Sequence, residues 1–336
     1  SDDQSYDVTT SMELGKFFPD KKGIHIPMYI NVSTQTSMPQ YDPAMPDVEL
    51  KQTISNAKSQ QERDSIRSAA EDYTIRKSIN FTNIHKNRTD PTKPNHVWDI
   101  ENFNATYAYT DYEHHDFTTL NELQKTYKVA LAYNYNNQPK FYSPLNKLIK
   151  SNLLALLRDV NYSLLPSRLN FQISFDRFYS ENTLRNNDPN NFIPIPTSFN
   201  KSFNITRVYG IGWNLSKSLQ MDIDATNFSV VGKPAGRIYG LKRDTLWENL
   251  KKLGRTVNYN HTINFNYNVP INKIPGMDWA TLVARYSTNF TWQSQPEFAL
   301  NTPDYNIGNS IQNGRTIQLN PTLNFVTLYN KFKAIR

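Results

Sequence analysis

Between Val257 and Val269 the chain alternates strictly. Val257, Tyr259, His261, Ile263, Phe265, Tyr267 and Val269 fall on one parity, and Asn258, Asn260, Thr262, Asn264, Asn266 and Asn268 on the other. Period two marks a β-strand with one apolar, aromatic face and one amide face. Strands of soluble domains usually hold about 5–6 residues, whereas this run extends roughly 40 Å at about 3.3 Å per residue. Tilted by about 40°, it covers about 30 Å along a barrel axis, more than the roughly 25 Å apolar band of an outer-membrane barrel.

The same alternation recurs along the chain and predicts about eleven or twelve strands in meander order. They fall near residues 5–14, 24–35, 77–85, 98–112, 125–135, 168–178, 202–215, 219–229, 256–269, 279–293 and 311–329. Pro27 marks a weak or bulged point in the second. Residues 36–76 are expected as a long extracellular loop with a short helix from Ala57 to Tyr73. The connection 136–166 is expected to carry a second amphipathic helix, Leu145 to Arg158, and the loop 229–255 a third, Thr245 to Leu253. Glu113 to Gln124 is expected to turn the chain, and Asn313-Gly314 reads as a tight hairpin turn. Short turns near 15–23, 216–218 and 270–276 lie on one side, and long loops near 36–76, 229–255 and 294–311 on the other. That sorting describes an outer-membrane barrel, with 145–158 as its exception. The fold class expected is all-β: a segment of a very large antiparallel transmembrane β-barrel with long extracellular loops and short helices in them.

Parity then assigns faces. Asn258, Asn260, Thr262, Asn264, Asn266, Asn268, Gln220, Asp222, Asp224, Thr281, Arg285 and Asn289 are expected to face a wet conduit of mixed charge, unlike a selective ion filter. Val257, Tyr259, Ile263, Phe265, Tyr267, Leu219, Met221, Ile223, Leu282, Tyr286, Phe290 and Trp292 are expected to face lipid. His261 shares the lipid parity, where a neutral imidazole is tolerable only near an interface, so it is expected at a rim or against a partner protein.

Composition adds limits. The 336 residues are 38% hydrophobic with a mean hydropathy of −0.66, and no run approaches the length of a transmembrane helix. A strand that alternates averages to nothing in such a window. There is no cysteine, so neither disulfides nor a thiolate metal site exist. The net charge of +7 is dispersed, as in Lys16, Lys21 and Lys22 or Lys251, Lys252 and Arg255, without the clustered cations and interleaved aromatics that nucleic acid requires; no nucleic-acid partner is expected. The N-terminal text has no signal-peptide pattern and the C-terminal text no terminal aromatic. Both ends read as cut, and an internal segment of a longer chain is expected.

Catalytic chemistry finds little support. HExxH, GxSxG, P-loop and dinucleotide fingerprints are missing, so no catalytic, cofactor-binding or metal residues are assigned and no enzyme is expected. Asp111, Glu113, His114, His115 and Asp116 form a dense group of potential ligands, read as solvated charge in an extracellular turn. Gly210 and Gly212 lie inside a strand, where they mark a kink or a close approach rather than a phosphate cradle.

Particular stretches resemble a known family. Asp64-Ser65-Ile66-Arg67, Asp72-Tyr73-Thr74, Arg76-Lys77-Ser78-Ile79-Asn80-Phe81-Thr82-Asn83 and Trp98-Asp99-Ile100-Glu101-Asn102-Phe103 are similar to the SprA (Sov) family. So are Lys147-Leu148-Ile149-Lys150-Ser151, Leu164-Leu165-Pro166-Ser167-Arg168-Leu169 and Trp213-Asn214-Leu215-Ser216-Lys217-Ser218-Leu219. That family forms the outer-membrane translocon of the Bacteroidota type 9 secretion system and is tied to gliding motility. The resemblance implies a large single-chain barrel in the outer membrane that exports folded proteins. It also implies partners: the rest of the parent barrel, a PorV-like protein at a lateral opening, a Plug-like protein at the periplasmic end, secreted substrates and outer-membrane lipid. Cofactors and catalytic residues are not implied. Two other readings of the same alternation are another outer-membrane barrel, such as a nutrient importer or porin, and a soluble β-rich glycan-binding surface module.

Overall fold

A computed structural model describes residues 1–90, 92–151, 154–188, 193–237, 240–300 and 307–331. Eleven long strands build one antiparallel sheet in sequence order: β1 (Asp2–Glu13), β2 (Pro27–Met38), β3 (Asp72–Lys86), β4 (Phe103–His115), β5 (Thr119–Asn136), β6 (Arg168–Leu184), β7 (Ser198–Asn214), β8 (Leu219–Val230), β9 (Arg255–Val269), β10 (Ala280–Gln293) and β11 (Ser310–Leu323). A two-residue strand, Ile24–His25, is the twelfth member and pairs with the end of β3. The fold is therefore all-β, with a few short helices. The sheet is open: β1 and β11 form its edges and do not pair with each other.

Alternation explains why these segments pair. Each side chain pattern survives only in one register, because a slip of one residue would exchange the faces. Where the pattern breaks, the ladder breaks too. Pro27 lacks a donor, and the strand expected over 24–35 is split at Ile26. The Glu13 carboxylate accepts from the backbone N–H of Ile26 at 2.6 Å and of Gly15 at 2.9 Å, replacing the lost ladder. Between β3 and β4 a bulge sits at Thr82–Asn83, with Asn83 left-handed at φ 54. Between β8 and β9 Phe228 pairs Asn258 and Ser229 pairs Thr256, leaving Val257 as the extra residue.

Several expectations need correction. Asn313 and Gly314 form no hairpin; both lie inside β11, opposite Phe290 and Asn289, and a Cβ on Gly314 would meet Asn289 Oδ1 at 2.6 Å. Here glycine serves close approach. The region expected as a turn from Glu113 to Gln124 is mostly strand: β4 runs to His115, β5 starts at Thr119, and Asp116 closes a tight turn by accepting from Thr118 N–H at 2.8 Å. That tight turn lies on the long-loop side, while residues 87–102 and 137–167 lie on the other, so loop lengths sort less cleanly than expected. The strand expected from 98 starts at Phe103, and the one expected to 329 ends at Leu323, followed by the helical turn Phe325–Tyr329. In the first long loop the helical text forms two helices, α1 (Leu50–Asn56) and α2 (Gln60–Ala70). Ser59 caps α2 by accepting from Glu62 N–H. The helix expected over 145–158 is only Ala155–Arg158; Leu153 of its expected stripe lies outside the described residues. The helix expected at 245–253 is α3 (Leu241–Lys251).

Candidate functional site

The two faces of the sheet are the site. One face is traced by paired rows. Gln220, Asn266 and Arg285 share a row; so do Asp222, Asn264 and Ser287, and Asp224, Thr262 and Asn289. Asn260 pairs Thr226 and Thr291, Asn258 pairs Phe228 and Gln293, Asn268 pairs Val283, and Thr281 pairs Thr322. The polar face extends across the other strands: Ser174 and Thr206 pair on β6 and β7, and Ser78 and Thr110 on β3 and β4. Ser287 Oγ donates to Asn264 Oδ1 at 2.7 Å, so the amides are partly ordered by their neighbours.

Where β6 begins, Arg168 crosses the last residues of β7. Its Nη2 lies 3.5 Å from Asp222 Oδ1 and 3.5 Å from Asp224 Oδ1, two strands away. Gly210 and Gly212 lie beneath its path: a Cβ on Gly212 would sit 3.2 Å from Arg168 Nε. Arg168, Asp222, Asp224, Asn264 and Arg285 line a shallow hollow of roughly 370 Å³. The role of Arg168 was missed from sequence. Its signal was there, in a Gly-x-Gly on the polar parity beside a strand that opens with arginine.

The opposite face carries Tyr259, Ile263, Phe265 and Tyr267, paired in turn with Trp292, Thr288, Tyr286 and Ala284 across β10. Leu219, Met221 and Ile223 pair Tyr267, Phe265 and Ile263; Phe290 pairs His261, and Leu282 pairs Val269. Aromatic pairs knit this face, with ring centroids 6.2 Å apart for Phe265–Tyr286, 5.4 Å for Phe171–Tyr209 and 4.8 Å for Tyr109–Tyr127. Val257, in the bulge, has no pairing partner on β8, and Thr256 on its far side lies 3.4 Å from Ser229 Oγ.

The apolar stripe crosses the strands obliquely. The row through Ile79 runs Tyr109, Tyr127, Arg177, Phe203; the row through Tyr286 runs Phe265, Met221, Trp213. Both residues centre the apolar stripe of their strands, yet their rows meet β7 roughly ten residues, or about 33 Å, apart across about 34 Å of sheet. The band is therefore inclined by about 45° to the rows. Polar residues border its upper edge on the same slant. Lys125 lies 3.7 Å from Asp111, and Arg207 donates to Asn227 Oδ1 and Ser229 Oγ, each at 2.7 Å.

Part of that face is covered. Helix α3 sets Leu246 and Leu250 on Phe203, Ile205, Val231, Ile173 and Phe175, and Ile205 and Val231 are fully buried. The helix lies on the apolar side of the sheet, with Trp247 exposed.

His261 sits near the middle of β9, not at its end. Its ring stacks on Phe290 at 5.1 Å and 18°, and Nδ1 is buried with no hydrogen-bond partner. On the slanted band it falls just below Tyr259, which pairs Asn227 of the polar border. The cluster at 111–116 is split by alternation: His114 lies 3.0 Å from Thr74 Oγ1, whereas His115 lies 4.0 Å from Glu71, and Asp111 faces Lys125. Among the described residues no three His, Cys, Asp or Glu side chains are placed to hold a metal ion.

At the end opposite α3, residues 156–161 pass beneath the turns after β7 and β9, framing a groove of roughly 690 Å³ lined by Asp159, Lys217, Tyr267 and Lys273. Lys273 donates to Asp159 at 2.8 Å and, with Arg158, holds its carboxyl below the usual aspartate range.

Residues 1–54, which cover β1, β2 and most of α1, match the model of the SprA_N family, described as motility related/secretion protein. Among curated proteins no match is found. The match ties this part of the chain to motility and secretion and not to a catalytic family. No helix among the described residues is long and apolar enough to cross a membrane.

Proposed function

We propose that this sheet is a stretch of wall of the type 9 secretion translocon in the bacterial outer membrane. The apolar parity faces lipid and the polar parity lines a wide aqueous conduit through which folded proteins leave the cell. The observation that carries this reading is the inclined apolar band. A band lying in a membrane plane, crossed by strands tilted about 35–45° from the normal, must slant across the paired rows by that same angle; the slant here is about 45°.

Other features support it. The polar face offers amides, hydroxyls and charges of both signs, which hold water without selecting one ion. The edges β1 and β11 present unpaired backbone along their length, a liability that further strands of a larger barrel would remove. The SprA_N match supplies the link to secretion. In this reading PorV-like and Plug-like proteins are partners of the assembled barrel, the wall is passive, and gliding motility depends on what it exports.

The test is Phe265→Arg in the full-length protein. A cation on the lipid face near the midplane costs about 2–4 kcal/mol, so the variant should fail to assemble in the outer membrane and secretion should stop. Normal assembly and secretion by that variant would show that Phe265 does not face lipid.

A further inference from the structure

The upper border of the apolar band carries more positive charge than its own carboxylates neutralise. Lys125, Arg177 and Arg237 line one hollow of roughly 300 Å³ together with Tyr127, Tyr179, Leu123 and Glu181. Glu181 is committed: Arg237 donates to its Oε2 from Nε at 2.8 Å and Nη2 at 2.7 Å, and Tyr179 donates to its other oxygen. Lys125 shares Asp111, outside the hollow, at 3.7 Å, where Asp111 also accepts from Tyr109 at 3.1 Å. Among the described residues Arg177 has no carboxylate within ion-pair distance; its guanidinium lies 5.4 Å over the Tyr127 ring. Three cations thus face one carboxylate in the hollow.

The surroundings are equally particular. These residues share the apolar parity, since Tyr127 pairs Arg177 and Lys125 pairs Tyr179. Directly below them in the same strands come Val129 with Phe175 and Leu131 with Ile173. On the neighbouring side stands α3, whose exposed Trp247 shares a helix face with Arg243 and Lys251, four residues before and after it. Cations and phenols immediately above a continuous apolar surface match a ligand with an anionic head and hydrocarbon tails.

We propose that the hollow between Lys125, Arg177 and Arg237 binds the phosphomonoester headgroup of a membrane lipid, with the acyl chains lying on the exposed Val129 and Leu131. This rests on the wall reading. A phosphomonoester carries close to two charges and three acceptor oxygens, enough to engage both Arg177, which no carboxylate neutralises, and Lys125, whose Asp111 lies outside the hollow at 3.7 Å; a phosphodiester offers one charge and two free oxygens. Arg177 supplies the planar fork for two of those oxygens and Lys125 a point charge for the third.

The experiment uses the full-length protein in phosphatidylcholine nanodiscs doped with phosphatidic acid, with phosphatidylglycerol, or with neither plus inorganic phosphate. Bound lipid is counted by native mass spectrometry. Phosphatidic acid should be retained preferentially, phosphatidylglycerol less, and inorganic phosphate not at all. Arg177→Gln should weaken retention about tenfold or more, the loss of a charge-assisted bond. Lys128→Gln, an equal charge change on the polar face, should not. Equal effects of the two variants, no effect of either, or equal retention of both lipids would overturn the proposal while the protein still inserts. Failure to enter nanodiscs would instead overturn the wall reading and this site with it.

Discussion

Arg168 on β6 reaches over β7 to Asp222 on β8, closing 3.5 Å between side chains that start two strands apart. The reach is possible because Gly210 and Gly212 leave nothing between them. The half-exposed pair itself contributes little, about 0–1 kcal/mol, so its meaning is spatial: it fixes one cation and two carboxylates on the polar face where β6 begins and β7 ends. Filling the gap should therefore matter more than removing the charge. Gly212→Leu is expected to destabilise by about 1–3 kcal/mol through overpacking. Arg168→Ala should recover part of that loss in the double variant, a coupling measurable by a double-mutant cycle. Strict additivity would place Arg168 elsewhere.

Helix α3 is held by Leu246 and Leu250 on β7. Leu246→Ala should cost about 2–3 kcal/mol, the low end for a buried leucine because one side can relax. The loss should be local. Amides of residues 241–251 should lose hydrogen-exchange protection while those of β6 and β7 keep theirs. Unchanged protection over 241–251 would show that Leu246 is not what holds the helix.

His261 lies on the apolar face, stacked on Phe290 with a buried, unpartnered Nδ1. An aromatic hydrocarbon should replace it and a permanent charge should not. His261→Phe is expected to assemble like the parent; His261→Arg should lose about 2–4 kcal/mol of barrel stability, read as reduced heat-resistant band in unboiled gels. Equal behaviour of the two variants would mean the ring meets water or a polar partner.

Asp159 and Lys273 bind the 156–161 segment to the turn after β9. Because the carboxyl is held below its ordinary 3.8, the stability it lends is present above that pH and is lost as pH falls through the depressed value. Exchange protection of residues 155–161 should fall in acid in the parent chain, and the dependence should shrink in Lys273→Met. An identical acid response in both chains would assign it to other groups.

The strands were legible because their side chains report burial every second residue, as Leu169, Phe171, Ile173 and Phe175 do. What escaped depended on neighbours in space. Asp111 to His115 look like a turn by charge, but Lys125 and Thr74 across the ladder satisfy them as strand. Asn313-Gly314 has the local chemistry of a hairpin, overridden because Asn289 needs the space that a glycine leaves. The text of α3 shows only helical periodicity; nothing in it tells which face of the sheet its leucines cover. For Arg168 the sequence shows the Gly-x-Gly corridor but not the partners, which lie on β8, two strands over.

The faces of β9 remain the centre of the account, and because these 336 residues hold no cysteine, a thiol introduced into β9 is the single one among them. Single cysteines placed in turn at Tyr259 through Asn268 of the full-length protein would be labelled in intact outer membranes with a charged, membrane-impermeant maleimide. Labelling should alternate, high at Asn260, Thr262, Asn264, Asn266 and Asn268 and low at Tyr259, His261, Ile263, Phe265 and Tyr267. Strong labelling at both parities would contradict a lipid-facing wall and leave a sheet bathed by water on each side.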